Sequence, residues 1–337
     1  MVQDKELSTS NEKRYLGKLF WIGKFVITVL ILSYIYKTFH SEQKGLTDIA
    51  RVIANALSQK NLPILISMIV LVPVNWALES LKWKQLAKKV VPLTFRDSFR
   101  GILTGLAIGV AAPAQLGDTI GRIAVLKSDN RLKAIGAALV SNGMQFYISV
   151  IAGIAGWCFT REQLSLTASA KYIVDILLSA TIALGIILMY TRKKLLTWFP
   201  SNTYLKKIRD YLSIIGIYNG ADLAIASGYG VLRYLVFLTQ FILSMSMFNF
   251  PLTHTEMISC VALIFLAKTL IPAVNVIGDL GLREFTALFV FKQYNLPPEE
   301  IITATFMIWI INVLGPILVG LFLIWKYKWR PHVNTQT

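Results

Sequence analysis

Two short stretches carry the residues best suited to chemistry. GDTIGR runs from Gly117 to Arg122 and GDLGLR from Gly278 to Arg283. Both read Gly-Asp-x-x-x-Arg, 161 residues apart, and both follow an apolar segment broken by proline: Pro113 in one case, Pro272 in the other. Asp118 with Arg122, and Asp279 with Arg283 and Glu284, are acid–base sets suited to holding a charged group, arginine being the side chain whose planar fork of donors matches a phosphate. A second reading is structural: glycine turns the chain, aspartate caps the next helix, and arginine one turn later reaches the headgroups. Lys268 interrupts the apolar segment before Pro272 and has the same two readings, anion contact or snorkelling. Gly117, Pro113, Pro272, Gly278 and Gly281 are expected to form the turns of the site.

The elements that position these residues are membrane helices. The chain has 337 residues, 55% hydrophobic and 15% charged, with a formal net charge of +16. Its charges fall in clusters separated by uncharged runs at 61–78, 134–160, 234–255 and 301–325. Each run is about long enough to cross a hydrocarbon core of roughly 30 Å. In a soluble protein the basic excess would point to nucleic acid; here it is the lysine and arginine that cytoplasmic loops of membrane proteins collect, so no nucleic-acid partner is expected. Cys158 and Cys260 lie in apolar stretches without metal-ligand spacing. No phosphate loop, dinucleotide fingerprint, serine elbow or zinc motif is present, and neither a cofactor nor a metal is expected.

Six spans are predicted, at about 19–39, 61–79, 134–159, 172–191, 233–250 and 301–325. The segments 101–117 and 257–278, interrupted by Pro113 and Pro272, read as re-entrant half-helices, because a proline-broken helix is tolerated at membrane depth only against protein or a water-filled cavity. With both termini in the cytoplasm, this topology places 23 basic residues inside and 8 outside. Letting the two broken segments span would put Arg192, Lys193, Lys194, Lys206, Lys207 and Arg209 outside, against the positive-inside rule. An interfacial amphipathic helix is expected near Tyr204–Ser213. Asn75, Asn142, Gln145 and Asn312 lie inside spans, where hydrogen bonds between helices account for most such residues.

The expected fold is therefore all-α, a polytopic helical bundle of about six full spans and two re-entrant segments. Residues 1–18 and 327–337 form cytoplasmic tails around a single transmembrane domain at 19–326, divided into halves at about 19–165 and 166–326. Each half orders its parts alike: two spans, a broken segment, the motif, one span. Three spans per half is an odd number, so the halves are expected to lie upside down to each other, the inverted-repeat plan of many transporters.

At these motifs the chain resembles the lysylphosphatidylglycerol synthase transmembrane-region family of flippase-like proteins. Ala112-Pro113-Ala114-Gln115-Leu116-Gly117-Asp118 followed by Arg122 is similar to the family's Pro-x-x-x-Gly-acidic-x-x-x-Arg signature. Ile271-Pro272 followed by Gly281-Leu282-Arg283-Glu284-Phe285 resembles its Pro-to-Gly-x-Arg-Glu signature, and Leu81–Leu86 with Trp83 is also similar. Asp118 stands where the family commonly has Glu, and Asp279 where it often has Gly. The resemblance implies a bacterial inner-membrane protein that moves a phospholipid or lipid-linked group and is not an enzyme. With Thr337 only 12 residues past Trp325, a soluble transferase domain is not expected within the chain. In the alternative, the chain is a non-catalytic subunit presenting a lipid or polyprenyl carrier to a separate transferase. An intramembrane enzyme using Asp118 or Glu284 ranks last, for want of a nucleophile–base pair.

Overall fold

The structure is a computed structural model, and it describes residues 46–111, 116–126, 128–197, 209–271 and 281–326. The predicted span at 19–39, the first half of the predicted interfacial helix, Pro113, Pro272, Gly278 and Asp279 lie outside these residues.

The described chain is helical. In order, the helices are α1 (Leu46–Ala56), α2 (Leu62–Ala87), α3 (Phe95–Ala111), α4 (Leu116–Ala124), α5 (Ala134–Thr160), α6 (Ala168–Thr197), α7 (Ile214–Ile217), α8 (Gly220–Ser246), α9 (His254–Leu270), α10 (Leu282–Phe291), α11 (Pro298–Trp309) and α12 (Gly315–Lys326). A π-helical stretch, Ile310–Leu314, joins the last two. Five continuous helical segments are long and apolar enough to cross a bilayer: Gln59–Ala87, Arg131–Thr160, Ala168–Thr197, Gly220–Ser246 and Pro298–Trp325. Along α6 the side chains of Ile173, Ile176, Leu177, Leu184, Ile187 and Met189 are exposed, a surface suited to hydrocarbon and not to water.

These five coincide with five of the predicted spans, with one systematic correction: the helices are longer than the uncharged runs that revealed them. α2 continues past residue 79 through Lys82 and Lys84, and α8 begins at Gly220, 13 residues before the predicted start at 233. The start of α8 is fixed by a reciprocal cap. Asn219 accepts from the Asp222 backbone N–H at 2.8 Å, and the Asp222 carboxylate accepts from the Asn219 N–H at 3.2 Å. At its other end α8 stops at Ser246 and not at 250, and Asn249 turns the chain with φ 52°.

Neither α3 nor α9 is among the five. Each has 17 residues and is about 25 Å long. α3 and α4 form a tight antiparallel pair: Gly101 abuts the Arg122 carbonyl, Gly105 faces Asp118 and Gly121, and Gly109 faces Gly117. A β-carbon on Gly121 would stand 2.4 Å from the Gly105 α-carbon, so the approach depends on both glycines. Gly117 serves this same contact. It lies inside α4 and not in a turn, and a β-carbon there would stand 2.6 Å from the Ile108 carbonyl oxygen.

Between elements, α2 packs along α8, α5 along α9 and α12 along α3. Exchanging α2 with α8, α3 with α9 and α5 with α11–α12 maps these contacts onto one another. Two apolar clusters follow. One gathers Trp83, Leu86, Ile102 and Ile123 around the first motif, and the other gathers Phe241, Ile264, Leu288 and Ile308 around the second.

Candidate functional site: a buried charge network

The first motif sits on α4, whose nine residues place Asp118 and Arg122 one turn apart on the same face. Asp118 takes two bonds from Arg122: Nε donates to Oδ1 at 2.9 Å, and Nη2 lies 2.7 Å from Oδ2. The third nitrogen of the guanidinium, Nη1, donates at 2.9 Å to Oε1 of Glu79 on α2. Asp118 thus orients Arg122. All three nitrogens of Arg122 already face a carboxylate, so this arginine is a holding residue more than a free phosphate fork.

Glu79 is the hub. Besides Arg122, it meets Lys82 of its own helix, with Nζ 2.7 Å from Oε2, and Arg233 of α8, with Nε 3.2 Å from the same oxygen. Lys82 also donates to the Gln145 side-chain oxygen on α5 at 3.2 Å. That is the interhelical role expected for Gln145. Four elements, α2, α4, α5 and α8, are therefore tied together by five ionisable side chains and one amide. Glu79 and Lys82 are 2% and 1% exposed, so these charges are removed from solvent, where charged groups persist only when paired.

Arg233 is held by aromatic rings as much as by Glu79. Its guanidinium carbon lies 5.4 Å from the Trp76 ring centre and 4.9 Å from that of Phe237. Asn75, one turn before Glu79 on α2, and Asn312 are buried, and neither amide has a hydrogen-bond partner among the described residues; the same holds for the Trp76 and Trp83 indole nitrogens and the Ser141 hydroxyl.

The second motif is built differently. Gly281 precedes α10 with φ 92°, a conformation that favours glycine. Its N–H donates to Glu284 Oε2 at 2.7 Å, which ties the first turn of α10. Arg283 and Glu284 are both buried, 4% and 5% exposed. They lie on α10, packed against α9 and α11, while Asp118 and Arg122 lie on α4, packed against α3. The two motifs thus occupy separate parts of the bundle. Lys268 lies half-buried in the last turn of α9.

Sequence reasoning passed over Glu79, Lys82 and Arg233 as site residues. The signals available were the i, i+3 spacing of Glu79 and Lys82 on one helix face, and an arginine at the midpoint of α8 once its cap is recognised.

A helical bundle with several membrane-length helices and paired charges buried among them defines a multi-pass integral membrane protein. More particularly, the chain belongs to the lysylphosphatidylglycerol synthase TM region family, whose model matches residues 21–320. No curated protein and no solved structure matches it.

Proposed function

We propose that the chain is a lipid carrier of the bacterial inner membrane, moving a phospholipid or lipid-linked group between leaflets in a flippase-like manner and not acting as an enzyme. The observation that carries this reading is the charge network at Glu79. Ionisable residues within membrane helices are costly, and they mark the routes of polar substrates. Here they gather where the antiparallel α3–α4 pair meets α2 and α8, which gives a polar headgroup a foothold below the membrane surface.

Two further features support a carrier. The short pairs α3–α4 and α9–α10 suit re-entrant hairpins, and the exchange relation among helix contacts suits an inverted repeat. On this plan the first motif faces the cytoplasm and the second faces outward. Asp118 and Arg122 hold the first station in shape through Glu79, and Arg283 and Glu284 make the second station for the same headgroup, with Asp279 and Lys268 assigned to the second.

The test is lipid translocation by the purified chain in liposomes. Arg283→Ala is expected to abolish movement of a fluorescent phospholipid while the protein keeps its helical content and elution volume. Translocation unchanged by this substitution would overturn the station assigned to the second motif. No translocation by the unaltered chain would turn the reading to the subunit that presents a lipid to a separate transferase.

A further inference from the structure

The network has a surplus of positive charge, and it falls on one residue. Glu79 and Asp118 supply two negative charges; Lys82, Arg122 and Arg233 supply three positive ones. Arg122 is satisfied by both carboxylates, and Lys82 lies between Glu79 and Gln145. Arg233 shares only Glu79 Oε2, at an angle that makes no hydrogen bond, and its guanidinium donates to no other described residue. Its side chain is 13% exposed, so the fork is reachable from outside the protein.

The position of Arg233 sharpens the point. It stands 13 residues from either end of α8, roughly 20 Å along the helix from each. Snorkelling to either surface is therefore ruled out by length. The Trp76 and Phe237 rings both lie against the guanidinium, contacts that engage its face and leave its nitrogens to donate. Asn75 precedes Trp76 on α2, fully buried, and its amide offers a donor and an acceptor without a protein partner among the described residues. A cation this deep calls for an anion, and among the described residues one unit of negative charge is missing.

We propose that Arg233 is the headgroup-receiving residue of this protein and that the site takes a lipid with one net negative charge, a phosphodiester such as phosphatidylglycerol. The guanidinium edge bonds the phosphodiester oxygens, and Asn75 bonds the neutral polar part of the headgroup. A zwitterionic headgroup leaves the surplus charge uncancelled, and a lysyl ester of phosphatidylglycerol, with a net positive charge, adds to it. The role in transport rests on the proposed carrier reading; the charge preference in binding does not.

Trp76 reports directly on the site. The full chain in neutral detergent is titrated with short-chain phosphatidylglycerol, phosphatidylcholine, lysylphosphatidylglycerol and inorganic phosphate, following tryptophan fluorescence, with Trp76→Phe assigning the signal. Saturable binding of phosphatidylglycerol is expected, at least tenfold tighter than either other lipid. Arg233→Gln should weaken it by roughly tenfold to a hundredfold, the loss of hydrogen bonds to a charged group, while Arg233→Lys retains part of the affinity. Equal binding of all three lipids would overturn the proposal, and so would tighter binding of lysylphosphatidylglycerol. A response to inorganic phosphate as strong as that to phosphatidylglycerol would make this a free-anion site and overturn its lipid part. If Arg233→Gln does not fold, the discrimination shown by the unaltered protein decides alone. Liposome assays separate the two ideas: selective binding with no lipid crossing sinks the carrier and leaves the anion site, and equal crossing of all lipids does the reverse.

Discussion

Glu79 and Arg122 stand 43 residues apart in the sequence and 2.9 Å apart in the fold. That bond fastens α4, a helix of only nine residues, to the long helix α2. Because Glu79 also neutralises Lys82 and Arg233, its loss strands three cations against a single carboxylate. Glu79→Gln is expected to destabilise the protein by about 3–5 kcal/mol, the range for breaking a buried ion pair from one side. Adding Arg233→Gln should restore part of that loss, since Arg233 meets no other carboxylate among the described residues, whereas Arg122 keeps Asp118. Thermal unfolding of the four proteins in detergent checks this. A Glu79→Gln midpoint equal to that of the unaltered protein would sink the hub assignment.

The approach of α3 to α4 makes a second prediction. Gly121→Ala places a methyl group 2.4 Å from the Gly105 α-carbon, a contact that only backbone movement relieves. The pair must separate, which draws Arg122 away from Glu79. A cost of about 1–3 kcal/mol is expected, together with reduced lipid translocation. Gly228→Ala on α8 is the control, since its β-carbon meets nothing within 4 Å and alanine favours the helix. Equal stability of the two variants would mean that the helices are not held at this distance.

Much of this arrangement was legible in the sequence, and the part that was not has one cause. Uncharged runs locate four helices and the apolar stretch at 172–191 a fifth, and Asp118 with Arg122 declares itself by i, i+4 spacing. The extents of the helices were misjudged wherever a charge was read as an exit from the membrane. Glu79, Lys82 and Arg233 look like ends when each is taken singly, yet they neutralise one another across α2 and α8, and the helices run on through them. Pairing across helices is not visible in a window of one helix. The same limit hid the hub: spacing joins Asp118 to Arg122, but nothing local joins Arg122 to a residue 43 positions earlier.

A third prediction concerns the connection between α5 and α6. Lys171 donates to Glu162 at 3.1 Å and Arg161 pairs with it as well, so hydrogen bonds from Lys171 and then Arg161 hold the Glu162 carboxyl below its ordinary value. A depressed acid contributes stability that is complete above its unfolded value and is lost as pH falls through its folded one. Glu162 is well exposed, so the effect is small. Unfolding midpoints measured between about pH 6 and pH 3 should fall less steeply in Glu162→Gln than in the unaltered protein. Parallel curves would show that the contact contributes nothing.

The last prediction decides whether the two halves are inverted. Cys260 is buried and Cys158 is exposed; with both replaced, single cysteines are introduced at Thr119→Cys and Leu280→Cys. Thr119 follows Asp118 on α4, and Leu280 precedes Gly281, the residue that caps α10. If the hairpins enter from opposite faces, an impermeant thiol reagent added to intact cells labels the second cysteine and spares the first, and opening the cells exposes the first. Labelling of both in intact cells would put the motifs on one face. That would leave the exchange relation among the helices without an inverted axis, and a headgroup passing from the first station to the second would then cross no membrane.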